Sequence, residues 1–326
     1  MNILTELIFQ GTNKPKYIQI ADCIIDNISR GKLKNNQKIP SINDKRAIKV
    51  IKGVGTYIDS TKIRTKINVL FLINKLSSYK LEMYNSFCEI VGGNFHTDFE
   101  IYNCEEFLFI SLLERNASQY DYYVIMPHFK INKELQNNFS IESLEMIKDI
   151  PSEKLIIMDN NELKIDGNII EIFQDFEQDA YDALNEGVEK IKKYDTIKLA
   201  IPEDYNYSYL NKIKKGFTKF CIENRMDYMV LNKISNINTI NKGDLFLVVG
   251  DDDLVKLVDS ATAKNYRLGV DIGVISYDET PLKRLLGIAV ISTDFKNIGA
   301  QAADMIVKNL KGKIKNPFNF IDRESL

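Results

Sequence analysis

The sequence predicts an α/β protein: a two-lobed body of helix-covered parallel sheets, preceded by a small basic head. Three observations carry that expectation. From residue 67 onward, short continuous apolar runs alternate with amphipathic helical patterns, and the series restarts after Gln174. Such runs suit parallel strands buried on both faces by helices. Charge is divided along the chain. Residues 1–66 hold 13 Lys and Arg against 5 Asp and Glu, a net of +8, while residues 67–326 hold 30 against 40, a net of −10. The overall balance of −2 conceals this division. Finally, 326 residues exceed what a single core usually serves, so two or three domains are expected.

The head comes first. Ile18, Ala21, Ile24, Ile25 and Ile28 recur at helical spacing behind Pro15, and Gly31 ends that helix. A basic polar turn over residues 32–38 leads to Pro40 and Ser41, whose hydroxyl could cap a second helix. After Asp44, Lys45 and Arg46, residues 47–58 read as a two-stranded ribbon: apolar alternation, a tight turn at Gly53-Val54-Gly55, then a strand of β-formers. Clustered cations attract phosphate through counterion release, so nucleic acid would bind here, although a solvated basic surface gives the same charge count.

Residues 59–66 (DSTKIRTK) are short, polar and charged, and read as a linker between a head at 1–58 and a body at 67–326. The body opens with a buried strand over 67–73, a helix over 79–91 and a strand over 99–102. A helix over 105–116, a strand over 122–126, a helix over 141–148 and a strand over 155–158 complete the first set. The second set has one helix from after Gln174 through Lys193, a strand over 197–201 and a helix over 210–224. Strands near Met229 and Phe246, a helix over 254–263, strands near Val274 and Val290 and a helix over 299–310 follow. Two successive sets make two lobes with a cleft at the strand C-termini, where open α/β sheets bind ligands.

Other classes are poorly served. No apolar stretch approaches the roughly 20 residues a membrane span needs, so no membrane partner is expected. The opening MNILTELIFQGTNK has no basic leader and apolar run of a secretion signal, which points to the cytoplasm. Cys23, Cys88, Cys104 and Cys221 are scattered, with no CxxC pair, which argues against zinc and a disulfide framework. There is no GxSxG elbow, P-loop, HExxH or glycine-rich dinucleotide fingerprint. We therefore expect no enzyme, no catalytic residues, no metal and no cofactor.

The head resembles the N-terminal winged helix-turn-helix of the GntR family of bacterial transcription regulators. Lys16-Tyr17-Ile18-Gln19-Ile20-Ala21, Gly31-Lys32-Leu33, Lys38-Ile39-Pro40-Ser41 and the hairpin Gly53-Val54-Gly55-Thr56-Tyr57-Ile58 carry the likeness. It implies double-stranded operator DNA as a partner. Lys16, Ser41, Lys45, Arg46 and Lys52 are candidate phosphate contacts, with Tyr17, Gly53 and Gly55 beside them in the motif. Val54 stands where that family usually has Lys or Arg. Between Asn43 and Asp44 the chain is roughly 25 residues short of the middle helices, the groove-entering helix included. Either the head is vestigial, or a segment is missing between those residues. Intact flanks favour the second.

The body resembles the periplasmic-binding-protein-like effector domain of the LacI family of repressors. The likeness lies in Val248-Val249-Gly250-Asp251-Asp252, Val274-Ile275-Ser276-Tyr277-Asp278-Glu279, Ile291-Ser292-Thr293-Asp294-Phe295 with Gly299, Ala302 and Ala303, and Ile321-Asp322-Arg323-Glu324-Ser325. It implies a homodimer and a small effector, a sugar above all. Positions matching Asp251, Asp278, Thr293 and Phe295 line that family's pocket; its cleft arginine is replaced here by Ile213. Polar residues after strands extend the candidate lining: Ser77, Ser78, Tyr79, His128, Asp159 and Asp204. Asp and Asn engage vicinal hydroxyls pairwise, and an aromatic ring covers a sugar's C–H face. Asp251 could equally cap a helix, His128 could be a structural hydrogen-bonder, and Phe295 could be core. The expected function is a ligand-controlled transcriptional repressor; the alternative is a cytoplasmic ligand-binding or enzymatic α/β protein with a vestigial head.

Overall fold

The computed structural model describes residues 27–28, 30–31, 38–39, 48–51, 55–58, 66–130, 139–159, 163–201, 207–234 and 239–326. In the head, residues 27 and 28 are helical, and Gly31 follows at φ 67° with its N–H donating to the Ile28 carbonyl at 2.9 Å. Glycine accepts that left-handed backbone without a Cβ clash, so the helix stops where expected. Three short strands follow: β1 (Lys38–Ile39), β2 (Ile48–Ile51) and β3 (Gly55–Ile58). β2 and β3 form the expected antiparallel ribbon, with Ile48 opposite Ile58 and Ile51 opposite Gly55, and β1 joins β3. Lys16, Tyr17, Ser41, Lys45, Arg46, Lys52 and Gly53 lie outside the described residues; Gly55 begins β3.

The first lobe of the body begins with β4 (Ile67–Ile73), α1 (Ser78–Val91), β5 (Phe95–Ile101) and α2 (Glu106–Arg115). β6 (Tyr122–Ile125), α3 (Ile141–Lys148), β7 (Leu155–Asp159) and β8 (Ile170–Phe173) follow. The second lobe holds α4 (Phe176–Glu186), α5 (Val188–Ile191), β9 (Thr196–Ala200), α6 (Ser208–Glu223), β10 (Asp227–Leu231) and β11 (Asp244–Val248). It continues with α7 (Asp251–Ala263), β12 (Gly273–Tyr277), α8 (Pro281–Leu285) and β13 (Ala289–Thr293). The chain ends with α9 (Phe295–Val307), β14 (Gly312–Lys315) and β15 (Phe318–Ile321). One sheet has the order β14-β8-β7-β6-β4-β5 and the other β10-β9-β11-β12-β13-β15. The pairings β4–β6, β6–β7, β7–β8 and β8–β14 are parallel, as are those of β9 to β13, and β15 joins β13 antiparallel.

Burial explains the continuous apolar strands. Leu70 and Leu72 of β4 face a core with Phe109, Leu112 and Ile147 of α2 and α3. Phe71 points the other way, its ring 5.4 Å from Phe87 of α1 at an edge-on angle. In the second lobe, Ile275 and Tyr277 of β12 pack with Phe217 and Phe220 of α6, while Val274 packs with Leu254 and Leu257 of α7. Alternate residues of one strand therefore serve two helical layers.

The two lobes are not successive segments. α9 packs on α1 of the first lobe, and β14 joins that lobe's sheet before β15 returns to the second. The chain thus crosses three times: at residues 174–175, at Asp294 and at residues 316–317. Asn316 ties these crossings together: its Nδ2 donates to the Asp294 and Pro317 carbonyls at 3.1 and 3.0 Å, and its N–H donates to the Phe173 carbonyl at 2.8 Å. β8, α8, β14 and β15 went unforeseen because four or five residues carry too little periodicity to stand out. The helix expected through Lys193 divides at Gly187, where the Phe320 ring packs so closely that a Cβ would overlap it. β5 begins at Phe95 rather than near residue 99. Among the described residues, no helix is long and apolar enough to cross a membrane.

Candidate functional site

The carboxyl ends of β4, β7, β11 and β12 meet around a cavity of about 270 Å³ between the lobes. Its lining includes Asn74, Lys75, Ser77, Tyr79 and Lys80 from the turn after β4 and the start of α1. His128 and Asp159 come from the ends of β6 and β7, and Gln174 and Phe176 from the first crossing. The second lobe supplies Tyr209 at the start of α6, Val249 to Asp252 after β11, Tyr277 at the end of β12 and Asp278 after it, with Phe295 at the start of α9.

Two aspartates occupy equivalent positions in the two lobes. Asp159 closes β7 at φ 76° and Asp278 follows β12 at φ 65°. Non-glycine residues enter this left-handed region rarely, Asp among the more tolerant, and strained backbone of this kind collects at functional sites. Their surroundings differ. Asp159 is saturated: Oδ2 accepts from Lys80 Nζ and stands 3.0 Å from His128 Nε2, while Oδ1 accepts from Gln174 Nε2. Burial alone would raise its pKa, but the Lys80 ammonium and His128 outweigh that and hold the carboxyl well below the ordinary range. Thr293 donates its hydroxyl to Gln174 Oε1, so this polar network joins two of the three crossings to the cavity wall.

Asp278 is the opposite case. Its N–H donates to the Ile291 carbonyl at 2.8 Å, but Oδ1 is buried without a hydrogen-bond partner among the described residues. Burial pushes its pKa up, Lys283 opposes and Asp159 adds to the rise, leaving it at about 7. Lys283, itself buried, secures the turn from behind: Nζ donates to the Tyr277 and Asp278 carbonyls at 2.9 and 3.0 Å and meets Asp251 Oδ1 at 2.8 Å. The Tyr277 hydroxyl and Asn74 Oδ1 are likewise buried and unpartnered among the described residues.

Aromatic rings line the cavity as well. Tyr79 and Phe295 stack with centroids 4.7 Å apart at 25°, and Phe176 and Tyr209 lie 5.3 Å apart at 33°. Burial pushes the Tyr79 and Tyr209 hydroxyls far above their usual pKa, so both remain neutral donors. Lys75 Nζ stands 5.1 Å from the Tyr207 ring centre, and burial lowers its pKa.

Of the residues proposed from sequence, Ser77, Tyr79, His128, Asp159, Asp251, Asp278 and Phe295 come together on this cavity. Ser77 is also the N-cap of α1, accepting from the Lys80 N–H at 3.3 Å. His128 faces Asp159 rather than standing alone. Asp251 starts α7, but its side chain caps nothing; it pairs with Lys283. Ser78 is exposed on α1 and Thr293 is buried in the network with Gln174, both apart from the lining. Asp204 lies outside the described residues. Ile213 is wholly buried in the second-lobe core. Asn74, Lys75, Lys80, Gln174, Phe176, Tyr209 and Tyr277 went unrecognised. Asn74 and Lys75 follow an apolar strand directly and were detectable on that ground, whereas Lys80 lies within a helix and reads as a solvated lysine.

No protein-family model matches the chain, and no curated protein matches it. Solved structures do. A LacI family transcriptional regulator from Silicibacter pomeroyi is similar at a TM-score of 0.63 and 15% identity, over 79% of this chain and 98% of that one. A periplasmic binding protein/LacI transcriptional regulator from Alkaliphilus metalliredigens QYMF, complexed with D-xylulofuranose, gives a TM-score of 0.58 at 13% identity, over 79% and 98% of the chains. A LacI family transcriptional regulator from Lactobacillus casei with bound glucose gives 0.60 at 13%, over 79% and 99%. Likeness at these identities shows the fold, a two-lobed periplasmic-binding-protein-like body.

Proposed function

We propose that this chain is a DNA-binding transcriptional regulator, a repressor, whose operator affinity is set by a small ligand held between the lobes. The observation that carries this reading is the cavity itself. It lies at the carboxyl ends of both sheets, lined by both lobes beside crossings that a hinge would use. The fold neighbours named above are transcription regulators, two of them with a sugar bound. A sugar suits paired carboxyl and amide acceptors beside stacked rings.

The basic head is the DNA-binding element in this reading, a GntR-type winged helix-turn-helix whose wing is the β2–β3 ribbon. Lys16, Tyr17, Ser41, Lys45, Arg46, Lys52, Gly53 and Gly55 remain its candidate contacts. The regulator acts as a homodimer, two heads meeting the half-sites of a near-palindromic operator. Ligand and DNA affinities are reciprocally coupled: whatever factor the ligand imposes on DNA binding, DNA imposes on ligand binding.

Fluorescence anisotropy of the full chain on its own promoter DNA tests the reading. Expected is an affinity that falls steeply with salt, as phosphate contacts release counterions. Undetectable or salt-independent binding refutes it. The shortened head favours a second reading, a ligand-binding or enzymatic α/β protein whose head is vestigial. Ligand binding without DNA binding, in a chain whose gene encodes nothing between Asn43 and Asp44, would select it.

A further inference from the structure

The two walls of the cavity make different demands on a ligand. The first-lobe carboxylate is fully used, because Asp159 already accepts from Lys80, His128 and Gln174. Among the described residues, the Asp278 carboxyl oxygen, the Tyr277 hydroxyl and the Asn74 amide oxygen have no hydrogen-bond partner. Tyr277 and Asn74 are only 5% and 4% exposed, so solvent does not serve them freely. The Asn74 oxygen only accepts, the Asp278 oxygen accepts once its carboxyl is ionised, and the Tyr277 hydroxyl accepts readily. A hydroxyl offers one donor and also needs one, whereas an ammonium offers three donors and needs none.

Charge points the same way. Asp159, Asp251, Asp252 and Asp278 line the cavity against Lys75 and Lys80, and Lys283 behind the wall is the third cation. Four carboxyl groups thus share the site with three lysines. The rings of Tyr79, Tyr209, Phe176 and Phe295 present faces that attract a cation and cover a C–H surface. The volume, about 270 Å³, lies near the small end of ligand pockets, which run from roughly 300 to 1,000 Å³.

We propose that the molecule bound between the lobes carries a primary ammonium seated on Asp278, with Tyr277 and Asn74 as further acceptors, and that it is an amino sugar. This rests on the reading of the cavity as the effector site and narrows its ligand class. A carboxyl whose pKa the site raises to about 7 suits this task, since an incoming cation replaces the missing counter-charge and restores the ionised form. The other groups near Asp278 are Lys283 from behind, Asp251 beside it on the same lobe, Asp159, Lys75, Lys80 and Tyr79 across the cavity, and Tyr209.

Isothermal titration of the full chain with glucosamine, N-acetylglucosamine and glucose, and with the matching galactose set, decides the matter. A hexosamine is expected to bind at least about tenfold tighter than its N-acetyl and hydroxyl counterparts, a charge-assisted bond setting that scale. Asp278→Asn should lower hexosamine affinity by about 10- to 100-fold and abolish the preference. Tyr277→Phe removes only an unpartnered hydroxyl and leaves the packed ring, so it keeps the test open should the first variant fold poorly. It should weaken hexosamine binding by about 3- to 10-fold. Equal or tighter binding of a neutral sugar, an Asp278→Asn variant that binds hexosamine unchanged, or no heat with any hexosamine overturns the proposal. A neutral sugar that binds and also shifts DNA affinity would keep the regulator reading without the amine. Hexosamine binding by a chain indifferent to DNA would do the reverse.

Discussion

Replacing Asp278 with Asn should stabilise the folded protein, and by an amount that depends on pH. The folded carboxyl keeps its proton up to about pH 7, whereas the unfolded one releases it near 3.8. Between those values the folded state binds more protons, so stability falls as pH rises across the window and levels off above it. Each pH unit costs about 1.4 kcal/mol, hence about 4 kcal/mol over the whole window and about 3 kcal/mol between pH 5 and pH 8. Asparagine reproduces the shape of the protonated carboxyl and cannot ionise. The stability difference between variant and wild type should therefore grow by about 3 kcal/mol from pH 5 to pH 8. Urea denaturation of both proteins at the two pH values measures it, with groups common to both cancelling. A difference that is the same at pH 5 and pH 8 would refute the account of Asp278 as a buried carboxyl held neutral. A gain in stability with a loss of ligand affinity is the usual trade at a binding site.

Two further perturbations test the packing around the cavity. Asp159→Ala strands the buried Lys80 ammonium and should cost about 3–5 kcal/mol in the same urea titration. Gly299→Ala places a Cβ against the Met83 carbonyl where α9 meets α1, and should lower stability by about 2 kcal/mol, read as a reduced melting temperature.

The fold was largely written in the chain because its signal is local. Continuous apolar runs at 67–73, 122–126 and 155–158 have the length of covered strands, and the amphipathic stretches between them have the length of helices. The strand-end rule then led to Tyr79, His128, Asp159, Asp251 and Asp278, because parallel sheets turn those positions toward one edge. The weaker inferences have a common cause. β8, β14 and β15 are four residues each, and their identity lies in the partners they find elsewhere in the chain, as when Gly312 pairs with Ile170 across more than 100 residues.

The triple crossing between lobes was beyond sequence for the same reason. Nothing in residues 295–315 announces that α9 and β14 return to the first lobe; packing against α1 and β8 decides it. The division of labour between the two cavity aspartates was also a tertiary matter. Asp159 and Asp278 look alike as residues at the ends of apolar strands, yet Lys80, His128 and Gln174 reach the first and, among the described residues, no side chain reaches the free oxygen of the second. Sequence determines which residues stand at the ends of strands; only the folded chain determines which charges they meet there. Desolvation and pairing depend on distances of a few ångströms between groups far apart in the chain.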